Sequence, residues 1–146
     1  MIIFGADHAG FELKEYLKTY LYNKGFEIYD AGAFEYDSED SFANIVPKAI
    51  KVLQESKDSK AIIICGSGVG VCIASNRFKG VYACNCHSVK EVVKAREHNN
   101  INVLNLGGRV ISKGKAKKIV DAFISTECLG GKYLDRMLVT DSYDKK

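Results

Sequence analysis

The sequence contains no apolar run long enough to cross a bilayer. Runs such as Ala61 to Cys65, built on Ile62, Ile63 and Ile64, fall far short of the roughly 20 residues a spanning helix needs. No basic segment precedes Met1-Ile2-Ile3-Phe4, so neither a signal peptide nor a membrane partner is expected. An excess of one charge is missing as well. Lys and Arg number 21 against 18 Asp and Glu, a formal charge of +3, too even a balance to mark a nucleic-acid surface. The chain shows no repeat, low-complexity tract or linker-like stretch. Proline is almost absent. Pro47 stands alone inside a helical pattern, so that helix either starts near Val46 with Pro47 in its first turn or is kinked there. Paired C-x-x-C spacing is lacking too. The odd set Cys65, Cys72, Cys84, Cys86 and Cys128 reads as reduced thiols of a cytoplasmic protein, mostly in or near the core. Cys84-x-Cys86-His87 is too cramped for a zinc site, and no metal or cofactor is expected.

What is present is the balance of a globular chain. Hydrophobic residues make up 47% and charged residues 27% of the 146, enough for residues 1–146 to bury a continuous core as one domain. Short apolar runs alternate with longer segments of helical period, the pattern of βαβ units around a largely parallel sheet, so the expected class is α/β. Strands are predicted over Ile2–Gly5, Phe26–Asp30, Ala61–Cys65, Val81–Cys84 and Val103–Leu106, most of them rich in Ile, Val, Phe or Tyr. A first helix presents Phe11, Leu13, Leu17 and Leu21 as one stripe, with Lys14, Glu15 and Lys18 decorating its other side. Further helices are predicted near Ser41–Glu55, Val69–Asn76, Ser88–His98 and Lys113–Ser125, with Ser88 and Ser112 as caps. Gly130-Gly131 precedes a last short helix, Tyr133–Val139, and the polar end Asp141–Lys146 is expected to fray.

The segment Ala61-Ile-Ile-Ile-Cys65-Gly66-Ser67-Gly68-Val69-Gly70 runs from a strand through alternate glycines into a helix. Free backbone N–H groups and the positive helix end converge there, which suits an anion; a tight turn needing small residues is the plainer alternative. The spacing is neither G-x-x-x-x-G-K-[ST] nor the dinucleotide fingerprint. Cys65 closes the strand at the carboxyl edge, where open α/β sheets place ligands. A thiol beside a helix N-terminus can serve as a thiolate base or nucleophile, although cysteine is also among the residues most often simply buried. As a reactive thiolate Cys65 is expected to be the accessible thiol of the five.

The loop Gly5-Ala6-Asp7-His8-Ala9-Gly10 also joins a strand to a helix. Asp7 replaces the middle glycine of a dinucleotide loop and would repel a pyrophosphate. An Asp-His pair at a strand end suits sugar hydroxyls and proton transfer, with Asp7 as a plain helix cap the competing reading. His98 and Asn99 close a helix, where His98 could equally be a stabilising cation. Arg109 follows in Gly107-Gly108-Arg109-Val110, and Lys132 and Arg136 share one helix face at i, i+4 spacing, able to grip a phosphate dianion or simply be solvated.

In order and over nearly the whole chain, these pieces resemble the ribose-5-phosphate isomerase B and galactose-6-phosphate isomerase family. The resemblance rests on Gly5-x-Asp7-His8-Ala9-Gly10, Asp30-x-Gly32, Cys65-Gly66-Ser67-Gly68-Val69-Gly70, Asn76-Arg77-Phe78-Lys79-Gly80, His98-Asn99, Gly108-Arg109-Val110 and Gly130-Gly131 followed by Arg136. It implies a three-layer αβα Rossmann-like domain with a five-stranded parallel sheet, acting without metal on a sugar phosphate. The enzyme would be a homodimer, alone or paired into tetramers, with active sites built from both subunits. It implies that Cys65 exchanges the proton between C1 and C2, and that Ser67 and the amides of Gly66, Gly68, Val69 and Gly70 steady the enediolate. Asp7 and His98 would open the ring, with His98 and Asn99 reaching across from the partner, and His8, Arg109, Lys132 and Arg136 would hold the phosphate. Asp40-Ser41-Phe42 and Gly130-Gly131-Lys132-Tyr133 depart from the family's Asp-Tyr-Pro and Gly-Gly-Arg-His, which leaves sugar length open; Lys132 keeps charge but loses the bidentate fork. A six-carbon aldose phosphate isomerase and a non-catalytic sugar-phosphate-binding module are the alternatives.

Overall fold

A computed structural model describes residues 1–143. Apolar runs and one-sided helices alternate as β1 (Ile2–Ala6), α1 (Phe11–Asn23), β2 (Ile28–Asp30), α2 (Phe42–Glu55), β3 (Lys60–Cys65), α3 (Val69–Ser75), β4 (Ala83–Asn85), α4 (Val89–Asn99), β5 (Val103–Gly107), α5 (Lys113–Ser125) and α6 (Lys132–Thr140). All ladders are parallel, in the order β2-β1-β3-β5-β4. The three central strands are buried on both sides except at Lys60, which is why they read as nearly continuous apolar runs, with Asn105 the buried polar exception in β5. On one face Leu13, Leu17, Val92, Ile119 and Phe123 pack on Phe4, Ile62, Ile64 and Leu104. On the other, Val46, Ala49, Ile50, Leu53 and Val71 pack on Ile3, Ala61, Ile63 and Val103. The result is the three-layer αβα Rossmann-like arrangement. No helix among the described residues is long and apolar enough to cross a membrane.

Several local expectations change. The outer strands β2 and β4, at the two sheet edges, are only three residues each. Pro47 lies well inside α2, whose first turn forms ahead of it: Ser41 Oγ accepts the Ala43 amide at 3.1 Å, and the buried face of Ile45, Val46, Ala49 and Ile50 holds the segment. The proline withdraws only the donor for the Ala43 carbonyl. Ser88 and Ser112 cap as expected, accepting from Glu91 and Lys115 amides. Lys14, placed by pattern on the solvent side, is fully buried. Its ammonium sits 5.4 and 6.0 Å from the Phe11 and Phe34 ring centres and donates to both Asp30 oxygens, at 2.8 and 2.9 Å, and to the Ala33 carbonyl. Full pairing is what makes that burial tolerable. Asp141, expected to fray, caps α6 and accepts the Tyr82 hydroxyl; the Ser142 and Tyr143 amides bond back to Val139 and Thr140 carbonyls, and residues 144–146 lie outside the described residues.

Chain direction then distributes the candidate residues. Because β4 and β5 are parallel neighbours, α4 must run back across the sheet. The carboxyl ends of β1, β3 and β5 share one edge, while the carboxyl ends of α4 and α5 reach the other.

Candidate active site

At the carboxyl edge β3 delivers Cys65, 5% exposed. Its Sγ accepts a hydrogen bond from the Gly68 amide at 3.3 Å. Gly68 adopts φ +84°, a left-handed conformation that glycine takes without strain. The Val69 amide donates to the exposed Ser67 hydroxyl at 3.2 Å, and the next amides of α3 are first-turn donors without helical partners. Phe42 covers Gly70, where a Cβ would lie 2.7 Å from the ring. The loop after β5 locks onto this one: Gly108 and Arg109 amides donate to the Cys65 and Gly66 carbonyls at 2.8 and 3.0 Å. The Arg109 guanidinium consequently lies over Gly66, with Nη1 3.4 Å from where a Cβ would be.

The Cys65 thiol is therefore enclosed by its own loop. It is not the most accessible of the five cysteines: Cys72, Cys84 and Cys128 are partly exposed, and only Cys86 is likewise buried. Cys84 is also the thiol whose pKa falls to about 7, drawn down by a hydrogen bond from Cys86 against the opposing effect of burial.

The β1–α1 loop rests directly on the end of β3, since a Cβ at Gly10 would lie 2.6 Å from the Ile64 carbonyl oxygen. Asp7 is buried and caps this turn, its Oδ1 accepting the Ala9 and Gly10 amides at 3.0 and 3.2 Å. Asp7 therefore closes the turn ahead of α1 rather than capping the helix, whose N-cap is Gly10 without a side-chain bond, and its own amide donates to the Ile64 carbonyl at 3.3 Å, which sets it beside the Cys65 strand. His8 is fixed by a residue that sequence reasoning did not assign to the site. Asp40 Oδ1 lies 2.8 Å from both the His8 amide and its Nδ1. That hydrogen bond raises the His8 pKa above 6.5, with burial opposing and the Asp7 charge assisting. No local signal could link positions 32 residues apart.

The remaining candidates form a second cluster. The His98 ring stacks on Tyr133 with centroids 4.5 Å apart, and Asn99 Nδ2 donates to Met137 Sδ at 3.6 Å. The Lys132 and Arg136 cations sit 5.3 and 5.8 Å from the Tyr133 ring centre. The Leu129 amide, bonded to the Glu97 carbonyl at 3.0 Å, ties the Gly130-Gly131 corner to the end of α4. Among the described residues no carboxylate pairs with Arg109, Lys132 or Arg136.

Within one chain the two clusters do not meet. Asp7, His8, the Cys65–Gly70 loop and Arg109 occupy the strand carboxyl edge, whereas His98, Asn99, Lys132 and Arg136 occupy the opposite edge, the length of α4 away. That helix has 11 residues and so spans about 16 Å. Arg109, grouped from sequence with Lys132 and Arg136, belongs to the Cys65 cluster in the single chain.

The chain is similar in sequence and fold to known proteins. A family model described as Ribose/Galactose Isomerase matches residues 2–138. The 4-deoxy-4-sulfo-D-erythrose isomerase of a Clostridium species is 36% identical over 86% of this chain and 79% of its own length. Ribose-5-phosphate isomerase B of Escherichia coli is 35% identical over 93% and 91%, respectively. The crystal structure of ribose-5-phosphate isomerase B from Mycoplasma genitalium with bound ribulose 5-phosphate matches with a TM-score of 0.94 at 36% identity, over 99% of this chain and 96% of that one. Since the match runs through both clusters and the sheet that carries them, the chain belongs to the ribose/galactose isomerase family.

Proposed function

We propose that the protein interconverts D-ribose 5-phosphate and D-ribulose 5-phosphate through an enediolate, with Cys65 as the base. The observation that carries this reading is the Gly68 amide on Cys65 Sγ, 3.3 Å away, at the sheet edge where α/β folds bind ligands. An aldose–ketose isomerisation needs a base for a carbon acid, donors for the developing oxyanion and a clamp on the chain. The Cys65 thiolate takes the proton from C2 of the aldose and returns it to C1. Ser67 and the amides of Gly66, Gly68, Val69 and Gly70 meet the charge that passes through the enediolate oxygens. Asp7 and His98 open the sugar ring, Asn99 steadies the substrate beside His98, and His8, Arg109, Lys132 and Arg136 hold the phosphate. Every step uses a protein group, so no metal or cofactor takes part.

This assignment draws on both clusters, so a second copy must bring its His98 edge to the Cys65 edge of the first. Apolar side chains suit such contact: Val69 and Ile73 on α3, and Leu134, Leu138 and Val139 on α6, are 38–64% exposed. The active form is a homodimer with shared sites, each chain acting in the cytoplasm as one domain over residues 1–146. The sulfo-erythrose isomerase relative supports a shorter sugar as a second reading, and six-carbon aldose phosphates remain the longer alternative.

Turnover of four-, five- and six-carbon aldose phosphates in deuterated solvent tests the proposal. Ribose 5-phosphate is expected to turn over fastest, with solvent deuterium entering at C1 to the extent that the Cys65 thiol exchanges before it returns the proton. Cys65→Ala is expected to bind the sugar phosphate without turning it over. Unchanged turnover in C65A would remove the mechanism.

A further inference from the structure

The carbonyl groups of the loop that carries Cys65 are held one by one. Those of Cys65 and Gly66 accept from the Gly108 and Arg109 amides. The Ser67 carbonyl is held by a side chain instead: Asn85, the last residue of β4, donates to it through Nδ2 at 3.2 Å. Gly107 leaves room for that oxygen, since a Cβ there would lie 2.7 Å from it. The same carboxamide presses against Gly68, with Asn85 Oδ1 2.3 Å from where a Gly68 Cβ would be. That Oδ1 is buried and meets no donor among the described residues, so the contact with the loop is what orients the group.

The Ser67 carbonyl and the Gly68 amide belong to one trans peptide and point to opposite sides of it. Holding the oxygen on Asn85 therefore aims the N–H at Cys65 Sγ, 3.3 Å away. Rotation of this peptide is otherwise easy, because glycine populates either sign of φ at little cost. A flipped peptide would turn a carbonyl oxygen toward the sulfur and toward any oxyanion formed beside it.

We propose that Asn85 is a positioning residue whose carboxamide locks the Ser67–Gly68 peptide, so that the Gly68 amide rather than the Ser67 carbonyl faces the reacting centre. The role rests on the reading of Cys65 as the base, but its primary readout is a property of the thiol that needs no turnover. Asn105 supplies the control. It pairs with Asn85 in the β4–β5 register, is fully buried, and donates to the Ile63 carbonyl at 3.1 Å without a bond to the loop.

Asn85→Leu keeps the approximate volume and removes the donor, while Asn85→Asp keeps the shape and sets a carboxylate against the Ser67 carbonyl. The pH midpoint for alkylation of Cys65 by iodoacetamide, followed on the Cys65 peptide by mass spectrometry, is expected to move upward in both variants, further in N85D. The kcat for ribose 5-phosphate is expected to fall by about 100-fold, with KM little changed. Asn105→Ala is expected to lower Tm and leave the alkylation midpoint in place. Midpoints in N85L and N85D that coincide with that of the unsubstituted chain overturn the assignment, whatever happens to Tm or kcat. An equal displacement in N105A overturns it as well. If the unsubstituted chain turns over no sugar phosphate, the proposed function fails, and the alkylation profiles still decide the role of Asn85.

Discussion

Mixing two defective variants gives a quantitative test of the shared site. Cys65→Ala removes the thiol from the strand carboxyl edge, and His98→Ala removes the imidazole from the last turn of α4. With α4 spanning about 16 Å between those edges, no side-chain rotation brings His98 to the Cys65 loop of its own chain. A site using both groups must therefore draw one from each subunit. When the variants are mixed in equal amounts and subunits exchange freely, half of the dimers are expected to be mixed by random pairing. In every mixed dimer one site carries both lesions and the other carries neither. Half of the sites in half of the dimers are intact, so activity is expected to recover to about a quarter of that of the unsubstituted enzyme. The assay is the conversion of ribose 5-phosphate after co-refolding, read against each variant refolded alone. A site contained in one chain would leave a lesion in every active centre, and activity no greater than the average of the two parents refutes the reasoning.

Two other perturbations address single contacts. Lys14→Met strands the Asp30 carboxylate with Lys18 as its remaining cation and leaves the Ala33 carbonyl without its ammonium donor. The Lys14 and Asp30 side chains are 0% and 18% exposed, so the loss is expected to be about 3 kcal/mol, or about 6–12 °C in Tm by thermal melting; a shift under 2 °C, well below that range, counts against the burial argument. The His8–Asp40 pair makes a pH prediction. Because the folded His8 pKa lies above 6.5, its charge-dependent contribution is complete below pH 6.5 and is lost as pH rises through the raised value. KM for the sugar phosphate is expected to rise over that same window, and Asp40→Asn to move the His8 titration, followed by NMR, to lower pH. An unmoved titration would mean that Asp40 does not set the charge of His8.

The loops that look like anion sites were legible because the signal is local. Alternate glycines after an apolar strand place Cys65, Ser67 and the α3 amides together, and nothing outside a dozen residues is needed to see it. Ser88 and Ser112 were legible as caps for the same reason. The Asp7 turn was equally readable, since its carboxylate reaches only the Ala9 and Gly10 amides. Lys14 was misplaced because a helix stripe says which side carries leucines but not that a carboxylate from β2 waits beneath a lysine stem. The partners that fix the site, Asp40 for His8 and Asn85 for the Ser67 carbonyl, lie on other elements and leave no mark near the residues they hold.

By itself the sequence determined the α/β class, the succession of elements and the strand end that carries the thiol, because hydrophobic period and turn chemistry act over a few neighbouring residues. Tertiary structure alone decided that Arg109 sides with Cys65 while His98, Lys132 and Arg136 gather at the far edge. That division follows from strand order and from the reversal of direction in every parallel crossover, which no short-range pattern records.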